Sequence, residues 1–428
     1  MNYPETVRYL LRLGNELKGG RLGLERIDRL LDQLGRPERA FESVHIAGTN
    51  GKGSTAAMIE AGLLEAGFRT GLYTSPHLVR INERFRTDGR DISDAEFCEG
   101  FAEVRAAVER LLAAEALDAH PTYFECVTAL AFRHFRAAGV ERAVVEVGLG
   151  GRLDATNVLD PRVSVLTPID LDHEAFLGRQ AEAIAAEKAG ILKPGATVVS
   201  SPQRPEVRAV LRAGASRLNL PWVEVGQDWL AEEVTHVEGC YRFVARRRGG
   251  PTVRAELALA GKHQVTNALT AIAALDALGV APGPIERGLR AARWPGRLEI
   301  LARDPLVLLD GAHNPAGARA LACYLRQHQA GRRVWLIWGA MRDKAVDEVA
   351  GILFPLAYRV LITPAPQTRA VSAGALADIV SHHHRSIAVT GNLAEALRQA
   401  RDAASASDLI LVTGSLFLVG EAKQLEGS

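Results

Sequence analysis

Cysteine is scarce in this sequence, and its spacing excludes the common cysteine-based sites. The 428 residues include four cysteines, Cys98, Cys126, Cys240 and Cys323. They lie far apart and form no C-x-x-C pair, so the sequence indicates neither a zinc site nor a disulfide framework. Buried, unreactive thiols are the simplest interpretation.

The sequence also lacks a charge imbalance. Its 51 basic and 50 acidic residues give a formal net charge of +1, which provides no overall field to attract nucleic acid or anionic lipid. Any binding to a polyanion must therefore be local, and small phosphorylated ligands fit this balance better than DNA does. We predict no nucleic-acid partner.

Long hydrophobic runs are absent as well. Nowhere do about 18 apolar residues follow one another, as a membrane-spanning helix requires. The first residues, Met1-Asn2-Tyr3-Pro4-Glu5, do not combine a basic segment with an apolar one, as a secretory signal would. These observations predict a cytoplasmic protein with no membrane association.

The sequence does contain an alternation of apolar strands and helical patterns, after a mostly helical stretch over residues 1–43. The strands are predicted at 70–74, 143–147, 163–167 and 196–200, and the helices at 94–116, 123–138 and 179–191. Such alternation predicts a parallel sheet covered on both faces. Ligands of sheets of this kind bind at the carboxyl ends of the strands.

A second unit is predicted beyond residue 295. Residues 221–260 first change to short alternating runs, which indicate a small antiparallel insert, and Trp294-Pro295-Gly296-Arg297 then breaks the pattern. We place a domain boundary there, between 1–295 and 296–428. Five further apolar runs, each followed by a helical stretch, predict a smaller α/β domain; they lie at 306–310, 334–339, 358–363, 387–390 and 409–413. Two such domains can close over a substrate.

The strongest local pattern is the glycine-rich turn at residues 47–55, which we call the phosphate loop. It follows an apolar run and precedes a helical pattern, which is the context of a phosphate-binding loop. Gly51 and Gly53 allow close approach of a polyphosphate, Lys52 can neutralise its charge, and Ser54 offers a hydroxyl. The glycine spacing departs from G-x-x-x-x-G-K-[ST], so an ordinary strand-to-helix turn remains the alternative.

Two further polar side chains are candidates for contacts with phosphate or metal. Ser75 follows a strand, although a Ser-Pro turn explains it as well. Glu125 lies near the start of an otherwise apolar helix, where the helix N-terminus alone would stabilise a carboxylate. A partly buried carboxylate favours a cation, and magnesium would serve.

The segment 146–157 leaves a strand with three glycines and then four polar side chains. We interpret it as a close-approach loop that positions a second substrate through Arg152 and Asp154; a long turn is the alternative. His173 follows another strand and is either a neutral imidazole ligand or structural. Lys188 near a helix C-terminus is ordinary, and the residue pattern alone gives it no chemical role.

Polar residues near the predicted boundary complete the candidate set. The stretch 261–267, which ends at Asn267, offers side-chain amides suited to a purine. Arg297 can contact phosphate as the domains close. Asp310 and His313 end the first strand of the second domain, where they would face the cleft, although Asp310 can also cap a helix.

Nine stretches in this order resemble the Mur ligase superfamily and, within it, the folylpolyglutamate synthase and dihydrofolate synthase family. The resemblance covers nearly the whole chain. The stretches are Gly48–Ser54, Ser75–Leu78, Tyr123–Glu125, Gly148–Asn157, Leu171–His173, Glu187–Ile191, His263–Ala268, Trp294–Glu299 and Asp310–Pro315.

The resemblance implies a P-loop-type ATPase domain followed by a Rossmann-like ligase domain. It implies an ATP-dependent ligase that joins a carboxylate to the amine of glutamate through an acyl phosphate. ATP would bind Gly51, Lys52, Gly53 and Ser54, together with Asn267, Arg297 and Asp310, and His313 is a further expected contact.

The resemblance also implies a metal site with two magnesium ions. Ser75, Glu125 and His173 match its ligands. Lys188 matches a lysine that is carbamylated in the family, where the carbamate would hold the second ion. Lys52, His173 and Lys188 are therefore the expected catalytic residues.

The expected substrates are dihydropteroate or a reduced folate, L-glutamate and ATP. The pterin is assigned to the loop at Leu153 and Asp154. Our first hypothesis is a bifunctional enzyme that adds glutamate to dihydropteroate and to reduced folates. A Mur-type ligase for another acid and a non-catalytic ATP-binding regulator are the alternatives. A monomer is expected.

Overall fold

The computed structural model describes residues 1–14, 23–170, 180–342, 344–367 and 370–426. The helices in these ranges are α1 (Tyr3–Arg12), α2 (Glu25–Gln33), α3 (Lys52–Glu65), α4 (Asp94–Ala113), α5 (Tyr123–Ala137), α6 (Ala181–Ala189), α7 (Pro205–Arg217), α8 (His263–Ala277), α9 (Pro282–Ala291), α10 (Pro315–His328), α11 (Val346–Leu353), α12 (Ala373–Val380), α13 (Leu393–Ala403) and α14 (Leu416–Glu426).

Three sheets are formed by the strands of the described residues. The strands are β1 (Glu42–Ala47), β2 (Thr70–Tyr73), β3 (Phe85–Thr87), β4 (Arg90–Asp91), β5 (Arg142–Glu146), β6 (Val163–Leu166), β7 (Thr197–Ser200), β8 (Trp222–Glu224), β9 (Trp229–Val237), β10 (Cys240–Arg247), β11 (Thr252–Ala260), β12 (Glu299–Arg303), β13 (Leu306–Leu309), β14 (Val334–Trp338), β15 (Arg359–Ile362), β16 (Ile387–Val389) and β17 (Leu409–Thr413).

The first sheet has eight strands in the order β4-β3-β2-β5-β1-β6-β7-β8. From β2 to β8 all neighbours are parallel, whereas β3 and β4 form an antiparallel edge. Strand β1 lies between β5 and β6, with Ile46 opposite Glu146 on one side and Val165 on the other. The carboxyl ends of these three strands therefore meet at the phosphate loop.

Successive side chains of the central strands pack into two different hydrophobic cores, one on each face of the sheet. Val144 packs with α3, α8, α9 and the antiparallel insert, whereas Ala143 and Val145 pack with α1, α2, α4 and α5. A strand buried on both faces must be apolar throughout. The prediction of a parallel sheet covered on both sides is confirmed.

The antiparallel insert is the three-stranded sheet β11-β10-β9. Its buried side chains, which include Trp229, Phe243 and Leu257, join the core around α8. The insert therefore packs against α8, the helix that carries Asn267.

The third sheet has the order β12-β13-β17-β14-β15-β16, and all its pairs are parallel except β12 with β13. The nine strands whose ranges were predicted above are each found to within one residue at each end. The edge strand β12 was missed, because it carries charged ends and an exposed Ile300 rather than an apolar run. The boundary between residues 295 and 296 stays a prediction.

None of the helices in the described ranges combines the length with the apolar character that crossing a bilayer needs.

Helices α3 and α9 approach each other through glycines. A Cβ on Gly288 would lie 2.5 Å from the backbone nitrogen of Gly62, and a Cβ on Gly62 would lie 2.4 Å from Cδ1 of Leu275 in α8. Because backbone atoms cannot move aside as a flexible side chain can, the contact at Gly288 fixes how α3 sits on its neighbours.

We expect Gly288→Ala to lower the free energy of unfolding by about 1–3 kcal/mol, since the added methyl overpacks this contact. Urea unfolding followed by circular dichroism measures the change. Gly283→Ala in the same helix is the matched control: its Cβ would meet only a side-chain atom of Arg287 at 3.6 Å. Equal unfolding midpoints for the two variants would contradict the packing argument.

Candidate active site

The phosphate loop connects β1, which ends at Ala47, to α3, which begins at Lys52. Gly51 is the N-cap of α3 and has a φ of +85°, a left-handed conformation that glycine adopts without strain. Among the described residues, no side chain caps the first turn of α3. The helix therefore presents its N-terminal N–H groups to a ligand, and such N–H groups favour an anion.

Each glycine of the loop meets a different element. A Cβ on Gly48 would lie 1.9 Å from Oγ1 of Thr167, one on Gly51 would lie 2.3 Å from Oδ1 of Asn267, and one on Gly53 would lie 2.6 Å from the ring of Trp294. The loop is thus enclosed by the end of β6, by α8 and by residues 292–298, the linker that leads to the third sheet.

Lys52 is held under the loop that precedes it. Its Nζ donates to the carbonyl oxygens of Gly48 at 3.2 Å and Thr49 at 3.3 Å, and it lies 3.8 Å from Oε1 of Glu146. The ammonium is therefore fixed beside the position where the loop would hold a phosphate.

Glu146 is the carboxylate that ends β5, and it is 4% exposed. Its Oε2 accepts a hydrogen bond from the backbone N–H of Ser75 at 3.2 Å. Burial raises the pKa of Glu146, and the charges of Lys52 and Arg297 oppose that rise. Ser75 and Glu146 are thus adjacent, and together they offer a hydroxyl and a carboxylate, which are oxygen ligands of the kind that magnesium prefers.

Helix α8 supplies amides to the same region. Gln264 donates from Nε2 to Oγ of Ser54 at 3.3 Å, and Asn267 donates from Nδ2 to Oε1 of Gln264 at 2.9 Å. This chain fixes the side chains of α8 against the first turn of α3.

The linker and the third sheet close the other side. Arg297 is half-buried; burial lowers its pKa, which the nearby carboxylates of Asp310 and Glu146 oppose, and an arginine remains charged under such conditions. Asp310 accepts from the N–H groups of Leu298 at 3.0 Å and Ala312 at 2.9 Å. Its carboxylate therefore ties the linker to the end of β13.

Two contacts at the start of α10 complete this side. Asn314, the N-cap of α10, donates to Oδ1 of Asn50 in the phosphate loop at 3.0 Å. Nδ1 of His313 lies 2.8 Å from the carbonyl oxygen of Gly311, which fixes its ring.

These residues surround a cleft of about 480 Å³ between the phosphate loop and the third sheet. The predicted nucleotide contacts all line it, as does the predicted metal ligand Ser75. They are Gly51, Lys52, Gly53, Ser54, Asn267, Arg297, Asp310 and His313.

Two protein families match this chain. The Mur ligase middle domain matches residues 46–275, and the Mur ligase glutamate ligase domain matches residues 296–416. Folylpolyglutamate synthase from Lacticaseibacillus casei is 37% identical over 99% of this chain and 98% of its own length. A Bacillus subtilis protein named dihydrofolate synthase/folylpolyglutamate synthase is 34% identical over 95% of each chain.

The solved structures agree with these matches. Mycobacterium tuberculosis folylpolyglutamate synthase, complexed with ADP and AMPPCP, superposes with a TM-score of 0.92 at 33% identity, over 100% of this chain and 99% of its own. The chain belongs to the folylpolyglutamate synthase and dihydrofolate synthase family of Mur ligases. The resemblance predicted from the sequence is confirmed.

Glu125, which was predicted to be a metal ligand, has protein partners of its own in this structure. Its Oε2 accepts from the N–H of Thr122 at 2.7 Å in a capping box, and it pairs with Nε of Arg26 at 3.2 Å. Of the residues described, Glu125 is not one that lines the cleft. The cation that its apolar surroundings favoured is supplied by Arg26.

Asp154 also has a structural position. It is 2% exposed and accepts from the N–H groups of Leu149 at 2.8 Å and Thr156 at 3.0 Å, and from the Thr156 hydroxyl. Burial raises the pKa of Asp154, and these hydrogen bonds oppose the rise. The carboxylate thus shapes the loop from inside, whereas Leu153 beside it is half-buried.

Lys188 lies directly behind the phosphate loop. It is 6% exposed, and its Nζ donates to the carbonyl oxygen of Gly48 at 2.9 Å, the same oxygen that accepts from Lys52. The third predicted metal ligand, His173, lies outside the described residues.

A second cavity of about 220 Å³ adjoins the cleft and shares Gly53, Ser75, Glu146 and Arg297 with it. His77 lines this second cavity. Its Nδ1 accepts from Nε of Arg84 at 2.9 Å, and burial together with that charge lowers the pKa of His77 to about 3. The imidazole is therefore neutral.

Two polar residues that this site depends on, Glu146 and Gln264, were not singled out from the sequence. Glu146 begins the segment 146–157, which was interpreted as a substrate loop without a role for Glu146. The available signal was a carboxylate at the end of an otherwise apolar strand. Gln264 lies in the stretch 261–267, whose amides were expected to suit a purine, but it was not named as an individual contact.

Proposed function

We propose that this protein is an ATP-dependent ligase that forms an amide between the carboxylate of a dihydropteroate or reduced folate and the amine of L-glutamate. The observation that carries the proposal is the cleft in which Lys52 and the first turn of α3 face Arg297 and Asp310. The relatives named for folylpolyglutamate and dihydrofolate synthesis support the choice of substrates.

A carboxylate is a poor electrophile, so the reaction needs activation. An oxygen of the carboxylate attacks the γ-phosphorus of ATP, and ADP leaves. The amine of glutamate then attacks the acyl carbon, the resulting tetrahedral intermediate loses inorganic phosphate, and the amine proton passes to solvent. No protein nucleophile is required.

The residues of the cleft supply binding and charge stabilisation. The N–H groups of Gly51 to Ser54 and the ammonium of Lys52 hold the terminal phosphates, where charge spreads over the transferring oxygens. Arg297 adds a half-buried positive charge. Gln264 and Asn267 position the nucleotide from α8, and Asp310 and His313 contact it from the third sheet.

Magnesium fits the oxygen donors at the end of β5. We assign Ser75 and Glu146 as its ligands in place of Glu125, and we retain His173 for a second ion. When bound, magnesium neutralises phosphate charge and orients the transferring group. A carbamate on Lys188 would convert a buried cation behind Gly48 into an oxygen ligand for the second ion.

The second cavity is the place we assign to the acid substrate. It opens onto Ser75, Glu146 and Arg297, which also face the nucleotide cleft. A carboxylate bound there would meet the γ-phosphate beside Lys52. Arg86 and Lys423 also line this cavity, where they pair with Asp91 and Glu299.

Incubation with ATP, magnesium, glutamate and dihydropteroate or a reduced folate should release phosphate, and Lys52→Ala should lower kcat at least about 100-fold, because an electrostatic contact to the transferring group is lost. The exposed Lys262 is the control: Lys262→Ala should retain activity. Near-normal turnover of Lys52→Ala would remove Lys52 from the mechanism.

The same panel separates the alternatives. Phosphate release with a different acid, but with none of the pterins, would indicate another Mur-type ligase. Nucleotide binding without substrate-dependent release of phosphate would indicate a non-catalytic ATP-binding regulator. We still expect the protein to be a monomer and to add glutamate both to dihydropteroate and to reduced folates.

Glu146→Gln should abolish the magnesium dependence of ATP-analogue binding, because the amide keeps the hydrogen bond from Ser75 but loses the charge that holds a metal. Titration calorimetry with and without magnesium measures this. Glu125→Gln is the matched control: it should lower thermal stability through loss of the Arg26 pair while the magnesium dependence stays. The reverse pattern would restore Glu125 as the ligand.

Lys188→Ala should lose most of its activity, and short carboxylates such as acetate should restore part of it, since they can occupy the place of the missing carbamate. Steady-state assays over a range of acetate concentrations test this, with chloride at equal ionic strength as the control. Full activity without acetate would remove the carbamate from the proposal.

A further inference from the structure

Three potential metal ligands meet on the surface of the C-terminal unit, away from the nucleotide cleft. Asp347 lies in the first turn of α11, and His382 and His383 lie in the 3₁₀ turn that follows α12. Nε2 of His383 is 2.9 Å from Oδ1 of Asp347, and Nε2 of His382 is 3.3 Å from the same oxygen. The three ligand atoms all lie within 4.8 Å of one another.

These separations match those around a small transition-metal ion. Zinc binds imidazole nitrogen and carboxylate oxygen at about 2.0–2.1 Å, so ligands at tetrahedral angles lie about 3.3 Å apart. The two distances to Asp347 fall near this value.

The histidine turn is held in place by its neighbours. Nε2 of His384 is 3.1 Å from the carbonyl oxygen of Ala357, and its Nδ1 accepts from the N–H of Ser386 at 3.1 Å. His383 is 20% exposed and packs over Gly351 of α11, where a Cβ would lie 3.1 Å from its Cε1. The turn and His383 within it are therefore held in place, which lowers the entropy cost of binding an ion through that side chain.

Hydrogen bonds from Nε2–H of each ring to Oδ1 of Asp347 are the metal-free form of this arrangement. The two imidazole rings lie 3.9 Å apart between centroids. If both were protonated, two cations would stack closely, with Arg385 lining the same surface pocket. With the proton on Nδ1 of each ring instead, the two Nε2 lone pairs and the carboxylate oxygen converge on one point, as the ligands of a cation do.

We propose that Asp347, His382 and His383 bind a divalent first-row transition-metal ion, zinc above all, with water completing the coordination. Two imidazoles select such an ion over magnesium, which prefers oxygen ligands. The ion joins the start of α11 to the turn after α12 and so stabilises this edge of the third sheet. It is independent of the ions proposed for catalysis.

Cobalt is the spectroscopic probe for this site. The full chain without a histidine tag should bind one Co²⁺ in excess magnesium, with the intense visible absorption of a four-coordinate ion, and zinc should displace it. Asp347→Asn and His383→Ala should each weaken binding at least about tenfold. Arg385→Ala is the matched control: it removes a neighbouring charge but no ligand, so binding should persist or tighten.

Thermal unfolding supplies the second readout. Zinc should raise the Tm of the wild-type chain but not that of Asp347→Asn, because an ion that binds only the folded state stabilises it. The ligase activity of Asp347→Asn is measured in buffer that is free of transition metals but contains magnesium. Unchanged activity there shows that the variant is folded. Two results would overturn the proposal. One is cobalt binding that is unchanged in Asp347→Asn and His383→Ala, and the other is the weak absorption spectrum of an octahedral cobalt ion.

Discussion

The carbonyl oxygen of Gly48 is the point on which the candidate active site depends. It accepts hydrogen bonds from both Lys52 and Lys188, so a single peptide group of the phosphate loop fixes two buried or half-buried amines. The loop can hold this position only because Gly48, Gly51 and Gly53 have no side chains. Each lies where a methyl group would overlap Thr167, Asn267 or Trp294.

The charges around this loop balance one another within a poorly solvated region. Lys52 lies beside Glu146, and Arg297 lies near both Glu146 and Asp310. Buried charges are costly unless they are paired, and replacing such a set with apolar residues would often stabilise a protein. Their presence at the meeting point of two cavities is explained better by a charged ligand than by stability.

The C-terminal unit contributes to the site through short, specific contacts. Asp310 holds the N–H of Leu298, whose left-handed φ of 47° turns the linker. Asn314 reaches across to Asn50. A few hydrogen bonds thus connect the linker, the phosphate loop and α10 around the cleft.

The sequence by itself determined the apolar strands, the glycine-rich turn and the family, because these depend on patterns between near neighbours. It also predicted that residues as distant as Lys52 and Asp310 share one site, through the rule that ligands bind at the carboxyl ends of strands. The tertiary structure alone decided which carboxylate faces that site. Arg26, 99 residues away in the chain, neutralises Glu125, and the N–H groups of Leu149 and Thr156 turn Asp154 inward. Glu146 faces the cleft because β5 lies next to β1 in the sheet, and strand order is a long-range property that no local pattern encodes.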